Sequence, residues 1–163
     1  MSMLSDQTAA LANLDVSALL LPVAGELLVV PSESVADIIK PRSLQRESTA
    51  PSWMLGRMEW RGASLPVLSF DALNHEREPT AQIGSRLVIM HTISDRPEAP
   101  RHYGLLTHGV PHLIRITPDD LERVDSAVLG PAERMKVKVF GQQGAIPDLD
   151  YLERNVMTVG ASS

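Results

Sequence analysis

The stretch Gly56-Arg57-Met58-Glu59-Trp60-Arg61-Gly62-Ala63-Ser64-Leu65-Pro66-Val67 decides how the chain is read. Arg57 to Arg61 alternates in polarity, and Gly62-Ala63 is a turn. Ser64 to Phe70 is apolar again, so the segment is predicted as a β-hairpin. Gly62 permits a tight turn. Pro66, inside a strand, marks an edge or a bulge. Arg61 is a cation at the lip of the hairpin, either an ordinary surface arginine or a contact residue.

The same grammar runs outward. Residues 18–23 and 27–30 flank Ala24-Gly25-Glu26 and form a second hairpin, with Pro22 at an edge or bulge position. Residues 87–90, 103–107 and 113–116 read as strands, as do 135–140, where Val137 and Val139 face in and Lys136 and Lys138 face out. Arg134, Lys136 and Lys138 read as a solvated strand edge. Residues 145–149 form the last strand. Three short helical pieces are expected. Residues 32–41 carry Ser34 and Asp37 in capping-box spacing, with Val35, Ile38 and Ile39 on one face. Thr117-Pro118-Asp119-Asp120 has the cap, the proline and the acids of a helix start. Asp148 or Asp150 caps a terminal helix carrying Tyr151, Leu152 and Val156. A further turn from Pro51 carries Trp53, Met54 and Leu55 and ends at Gly56. Eight to ten short strands with Gly or Pro between them suggest a barrel or sandwich. Parallel α/β is disfavoured, because no helix is long enough for repeated crossovers.

Composition limits the rest. With 163 residues, 44% apolar and 21% charged, the chain has the make-up of one globular domain. No stretch reaches the about 18 apolar residues of a membrane span, and no secretory signal is read, so a cytoplasmic protein without membrane insertion is expected. The absence of cysteine removes disulfides and thiolate chemistry. A net charge of −5 and six aromatic residues disfavour nucleic acid as a partner. Among His75, His91, His102, His108 and His112, only His108 and His112 have a metal-like spacing. Gly109 and Pro111 break any helix between them, so no metal and no cofactor is expected. Ser, His and Asp are all present, but no G-x-S-x-G elbow occurs.

Pro51-x-Trp53-x-x-Gly56-x-x-x-Trp60-Arg61-Gly62-x-x-Leu65-Pro66-Val67 resembles the signature of CheW-like domains: Gly, four residues, Arg-Gly, three residues, Pro-Val. Val35-x-Asp37-Ile38 resembles that family's Val-x-Glu-Ile step, Tyr103-Gly104-Leu105-Leu106-x-x-Gly109-Val110 its Gly-Leu-Leu-Val-Asp strand, and Ile146-Pro147-x-Leu149-Asp150 its closing segment. The likeness implies a mainly β fold of two SH3-like five-stranded β-barrels sharing a central apolar interface, with short helices. A tail over 1–15, one domain over 16–157 and a tail over 158–163 follow from it.

It also implies a non-catalytic adaptor linking a methyl-accepting chemoreceptor's cytoplasmic tip to the regulatory domain of a CheA-like histidine kinase, at membrane-associated receptor arrays. Carried over by position, Val35, Asp37, Ile38, Arg61 and Gly62, with Leu105 and Val110, line or support a receptor groove between the barrels. Gly56, Trp60, Pro66, Val67 and Gly104 are motif and structural positions. Asp37 stands for the family's Glu, His108 and Ser69 each for an Asp, and Trp60 for an aliphatic residue. Trp-Arg-Gly and Ser-Phe resemble members serving type IV pilus (twitching) systems. A small hydrolase with a Ser/His/Asp site, and a nucleic-acid-binding barrel, are the alternatives.

Overall fold

The computed structural model describes residues 16–75, 83–97 and 99–160. The expected N-terminal tail and most of the charged loop after Asn74 lie outside them. Among the described residues, eleven strands form two antiparallel-rich sheets. The first has the order β8-β1-β2-β11-β10-β9, from β1 (Val16–Val23), β2 (Glu26–Pro31), β8 (His112–Ile116), β9 (Leu121–Arg123), β10 (Glu133–Val139) and β11 (Gln142–Pro147). The second has the order β3-β6-β7-β5-β4, from β3 (Val35–Ile39), β4 (Met54–Trp60), β5 (Ala63–Ser69), β6 (Arg86–His91) and β7 (His102–Thr107). One parallel pairing interrupts each sheet, β2 with β11 and β5 with β7.

Three apolar clusters organise these sheets. Ala18, Leu20, Val29, Ile116, Val137, Val139 and Ile146 fill the first sheet's own interior. Leu55, Met58, Trp60, Leu65, Val67, Leu87 and Ile89 fill the second's. The largest cluster lies between them. Leu19, Leu21, Leu28 and Val30 from the first sheet meet Leu68, Val88, Met90, Tyr103 and Leu105 from the second. The alternation along β1 and β2 explains this division: odd residues of β1 face the partner sheet and even ones face its own interior. The expected shared interface is therefore present. The first sheet has six strands rather than five, because the three-residue β9 adds an edge beside β10.

Two helices seal the shared core. Helix α1 (Phe70–His75) buries Phe70 and Leu73, and helix α2 (Leu149–Gly160) buries Leu149, Leu152, Val156 and Val159 at helical spacing. Asp148 caps α2, its Oδ1 accepting the Tyr151 N–H at 3.0 Å. The helix runs three residues past the expected boundary at 157, and Val159 is packed into the core.

The other expected helices are not helices. Residues 32–41 form a single 3-10 turn (Ser32–Ser34) and then strand β3. The expected turn from Pro51 forms, with the Met54 N–H donating to Pro51 O at 3.0 Å, but it gives way to β4 at Met54 rather than running to Gly56. The capping box at Thr117 forms, with Asp120 Oδ2 accepting both the Thr117 N–H and its hydroxyl at 3.0 Å. It caps only a 3-10 turn, because Leu121 is drawn into pairing with Val139. Lys136 is also not solvated. Its side chain is 12% exposed, and β10 is an interior strand.

A cationic aromatic pocket as the candidate functional site

The hairpin that opened the sequence reading builds the site. Trp60 pairs with Ala63 at the end of β4 and β5, leaving Arg61 and Gly62 as a two-residue loop. Both have positive φ, 48° and 80°, the geometry of a type I′ turn. Glycine suits this conformation and arginine does not. Farther back on β4, Gly56 sits at a register shift with φ 149°, and a Cβ there would lie 2.8 Å from both Gln45 O and Leu44 Cβ. Pro66 lies just before the β5–β7 ladder begins at Val67, so its missing N–H breaks no pairing with β7. Gly104 faces Val67 across that ladder, with 3.1 Å between Val67 Cγ2 and the place of a Cβ.

Trp60 belongs to the interior of the second sheet, but its indole edge reaches outward. Nε1 donates to Asp37 Oδ2 at 3.1 Å. Asp37 Oδ1 accepts the Ile38 N–H at 2.9 Å. Asp37 lies at a bulge in β3, where the register with β6 shifts between Val35 and Asp37. β3 and β4 are the two edges of the five-stranded sheet, so this bond joins its first and last strands.

On the outer side, the Arg61 guanidinium stacks on the Trp60 ring at 4.5 Å from its centroid. His102, opening β7, lies 4.8 Å from Trp60 and 5.0 Å from His91, its cross-strand partner on β6. Burial, and then the charges of His91, Arg101 and Arg61, hold the His102 imidazole below its usual pKa. These side chains border a cavity of about 690 Å³ with Ala36, Ala63, Ser64, Leu65, Ala99 and Pro100. The loop that supplies Ala99 to Arg101 is held by α2: Glu153 accepts the N–H groups of Ile93 and Ser94 at 2.7 and 2.9 Å.

The structure thus gathers Asp37, Trp60, Arg61 and Gly62. Ile38 is 37% exposed on β3, whereas Val35 packs against the core between the sheets. Leu105 is 1% exposed, so it supports the fold and lines no surface. Val110 is exposed in the link between β7 and β8. Among the described residues, the walls of the cavity around Trp60 and Arg61 come from the five-stranded sheet and from Ala99, Pro100 and Arg101. Sequence reasoning missed His91 and His102. Their signal was register: two strands closing on a histidine each, at either end of one loop.

The other histidines have other surroundings. His108 Nε2 meets Asp71 Oδ2 at 2.7 Å, while Asp71 Oδ1 accepts the Ala24 N–H at 3.1 Å. The His108 N–H donates to Pro22 O at 2.8 Å. Together these clasp α1 and the end of β7 to the β1–β2 hairpin. His112 is exposed on β8. Among the described residues, no group of three His, Cys, Asp or Glu could hold a metal ion.

One buried ionic group lies elsewhere. Lys136 Nζ donates to Glu26 Oε1 and Glu133 Oε2, each at 2.7 Å. Glu133 Oε1 accepts the Gly130 N–H at 2.7 Å. Burial, reinforced by hydrogen bonding with Glu133, pushes Glu26 up to about 7. Burial opposes ionisation of Glu133 too, but its bonds from Glu26, Lys136 and Gly130 outweigh that and bring it down to about 2.

A family model described as "CheW-like domain" matches residues 17–146. The crystal structure of the scaffolding protein TtCheW from Thermoanaerobacter tengcongensis superposes with a TM-score of 0.68 at 17% identity, over 83% of this chain and 86% of that one. No curated protein matches the chain. Among the described residues, no helix is long and apolar enough to cross a membrane.

Proposed function

The chain belongs to the CheW-like domain family, and on that premise we propose that it is a non-catalytic adaptor joining chemoreceptor signalling tips to a CheA-type histidine kinase. The observation that carries this reading is an open, partly apolar pocket lined by Arg61 and by Trp60, whose indole is tied to Asp37 by a hydrogen bond. Such a surface suits an amphipathic helical hairpin, with apolar contacts for affinity and a rim cation for register. The kinase's regulatory domain takes a separate surface of the barrels. Individual contacts of this kind are modest, and array multivalency adds the rest. The protein acts in the cytoplasm, recruited to receptor arrays.

Service in a type IV pilus (twitching) system is the finer part of the reading, and it rests on Trp60 and Ser69-Phe70. Deleting the gene and scoring twitching against swimming tests that part. Calorimetry of the folded protein with a receptor-tip fragment and with a kinase regulatory domain tests the whole. Binding to both is expected, and binding to neither removes the proposal.

A further inference from the structure

We propose that the Trp60–Arg61–His91–His102 cavity receives one acidic side chain of a helical protein partner, and that a proton from solvent joins the imidazole pair as it enters. The inference deepens the adaptor reading and rests on it. The whole chain has a net charge of −5, yet among the described residues the ionisable ones lining this cavity are all bases: Arg61, Arg101, His91 and His102. A local field of opposite sign to the molecule selects an anion. The cavity, of about 690 Å³, is open at the surface, so an acidic side chain can enter it from a partner that stays outside. The molecule's overall acidity turns away a polyanion such as nucleic acid.

The described anionic groups near the imidazoles, Asp37, Asp95 and Glu153, all lie outside the lining of this cavity. From β3 comes Asp37, whose oxygens already accept from Trp60 and Ile38. From the β4–β5 turn comes Arg61, stacked so that its N–H edge can fork a carboxylate. From β6 comes His91, and from the start of β7 come Arg101 and His102. Asp95 and Arg96 line the adjoining cavity, which shares His91, Arg101 and His102. From α2, Glu153 is engaged with the backbone of Ile93 and Ser94.

Burial first, and then the neighbouring His91, Arg101 and Arg61, hold the His102 imidazole below its usual pKa. A carboxylate among them reverses that balance, raising the imidazole's pKa above its free value. Affinity for the acid then rises as pH falls through the bound-state pKa.

The test is calorimetry with a chemoreceptor-tip fragment and with the same fragment carrying Gln for each Glu, at pH 8 and pH 6. The carboxylate fragment is expected to bind about tenfold tighter at pH 6, with net proton uptake, and the amide fragment to change by about twofold or less. His91→Gln with His102→Gln, checked for folding by circular dichroism, should flatten the response while binding persists. Equal behaviour of the two fragments, or a pH response that survives the double substitution, overturns the proposal and leaves the adaptor reading standing. If neither fragment binds, both fall.

Discussion

The indole Nε1 of Trp60 donates to Asp37 Oδ2 at 3.1 Å, and the two residues lie on opposite edges of the same five-stranded sheet. The bond therefore closes the curled sheet on itself, at the place where the candidate pocket opens. Trp60→Phe keeps the ring and loses the donor. It should lower stability by about 1–2 kcal/mol in urea titration, since a half-buried carboxylate oxygen is left without that bond. An unchanged midpoint would mean that the two edges are held by packing alone.

Arg61 occupies a left-handed conformation that Asn and Gly adopt more readily. Arg61→Asn is expected to raise stability by about 0.5–1 kcal/mol while weakening receptor-tip binding. Arg61→Glu should weaken binding further, with the fold intact. A gain in stability with a loss of binding would show that the strain is retained for contact. Unchanged affinity in both variants would make Arg61 a structural residue.

The two motif glycines have different duties. A methyl group at Gly56 would meet the Leu44–Gln45 segment at 2.8 Å, whereas Gly62 has open space around it. Gly56→Ala should cost more than about 3 kcal/mol, because backbone must move. Gly62→Ala should cost about 1 kcal/mol, the strain of its positive φ alone. Thermal melts of the two variants make the comparison.

The buried Glu26–Lys136–Glu133 group sets opposing pH dependences. Glu26 is raised to about 7 from 4.5, so the folded state holds its proton more tightly. That contribution is complete below about 4.5 and is lost as pH rises through 7. Glu133 is lowered to about 2, and its contribution is lost as pH falls from 4.5 toward 2. Glu26→Gln should therefore flatten the decline in stability between pH 5 and 8. Lys136→Met, which strands two buried carboxyls, should cost about 3–5 kcal/mol at neutral pH. Denaturant midpoints across pH decide both.

Much of this architecture was legible where alternation was regular. Both predicted hairpins, at Gly25 and Gly62, are present, and so are the strands through Val88, Leu105, Ile114 and Val137. One misreading falls at a bulge, and another, at Thr117, falls where Leu121 is drawn into pairing with Val139. In β3 the extra residue between Val35 and Asp37 breaks the two-residue period. Val35, Ile38 and Ile39 are then left three and four apart, which imitates a helix face. The site was half legible. Arg61 and Asp37 could be marked by motif, but their meeting depends on sheet curvature, which adjacent residues do not encode. His91 and His102 became neighbours only through the β6–β7 register.

The order of strands has a consequence for how the chain assembles. The five-stranded unit is one uninterrupted segment from β3 to β7, inserted between β2 and β8 of the other. It can be completed on the ribosome while its host still awaits β8 to β11. Until then the side carrying Val88, Met90 and Leu105 is only partly covered, because β1, β2 and α1 are already made while the α2 residues Leu149, Leu152, Val156 and Val159 are not. The interval between synthesis of β7 and docking of α2 is thus when the nascent protein is most prone to stick to its neighbours.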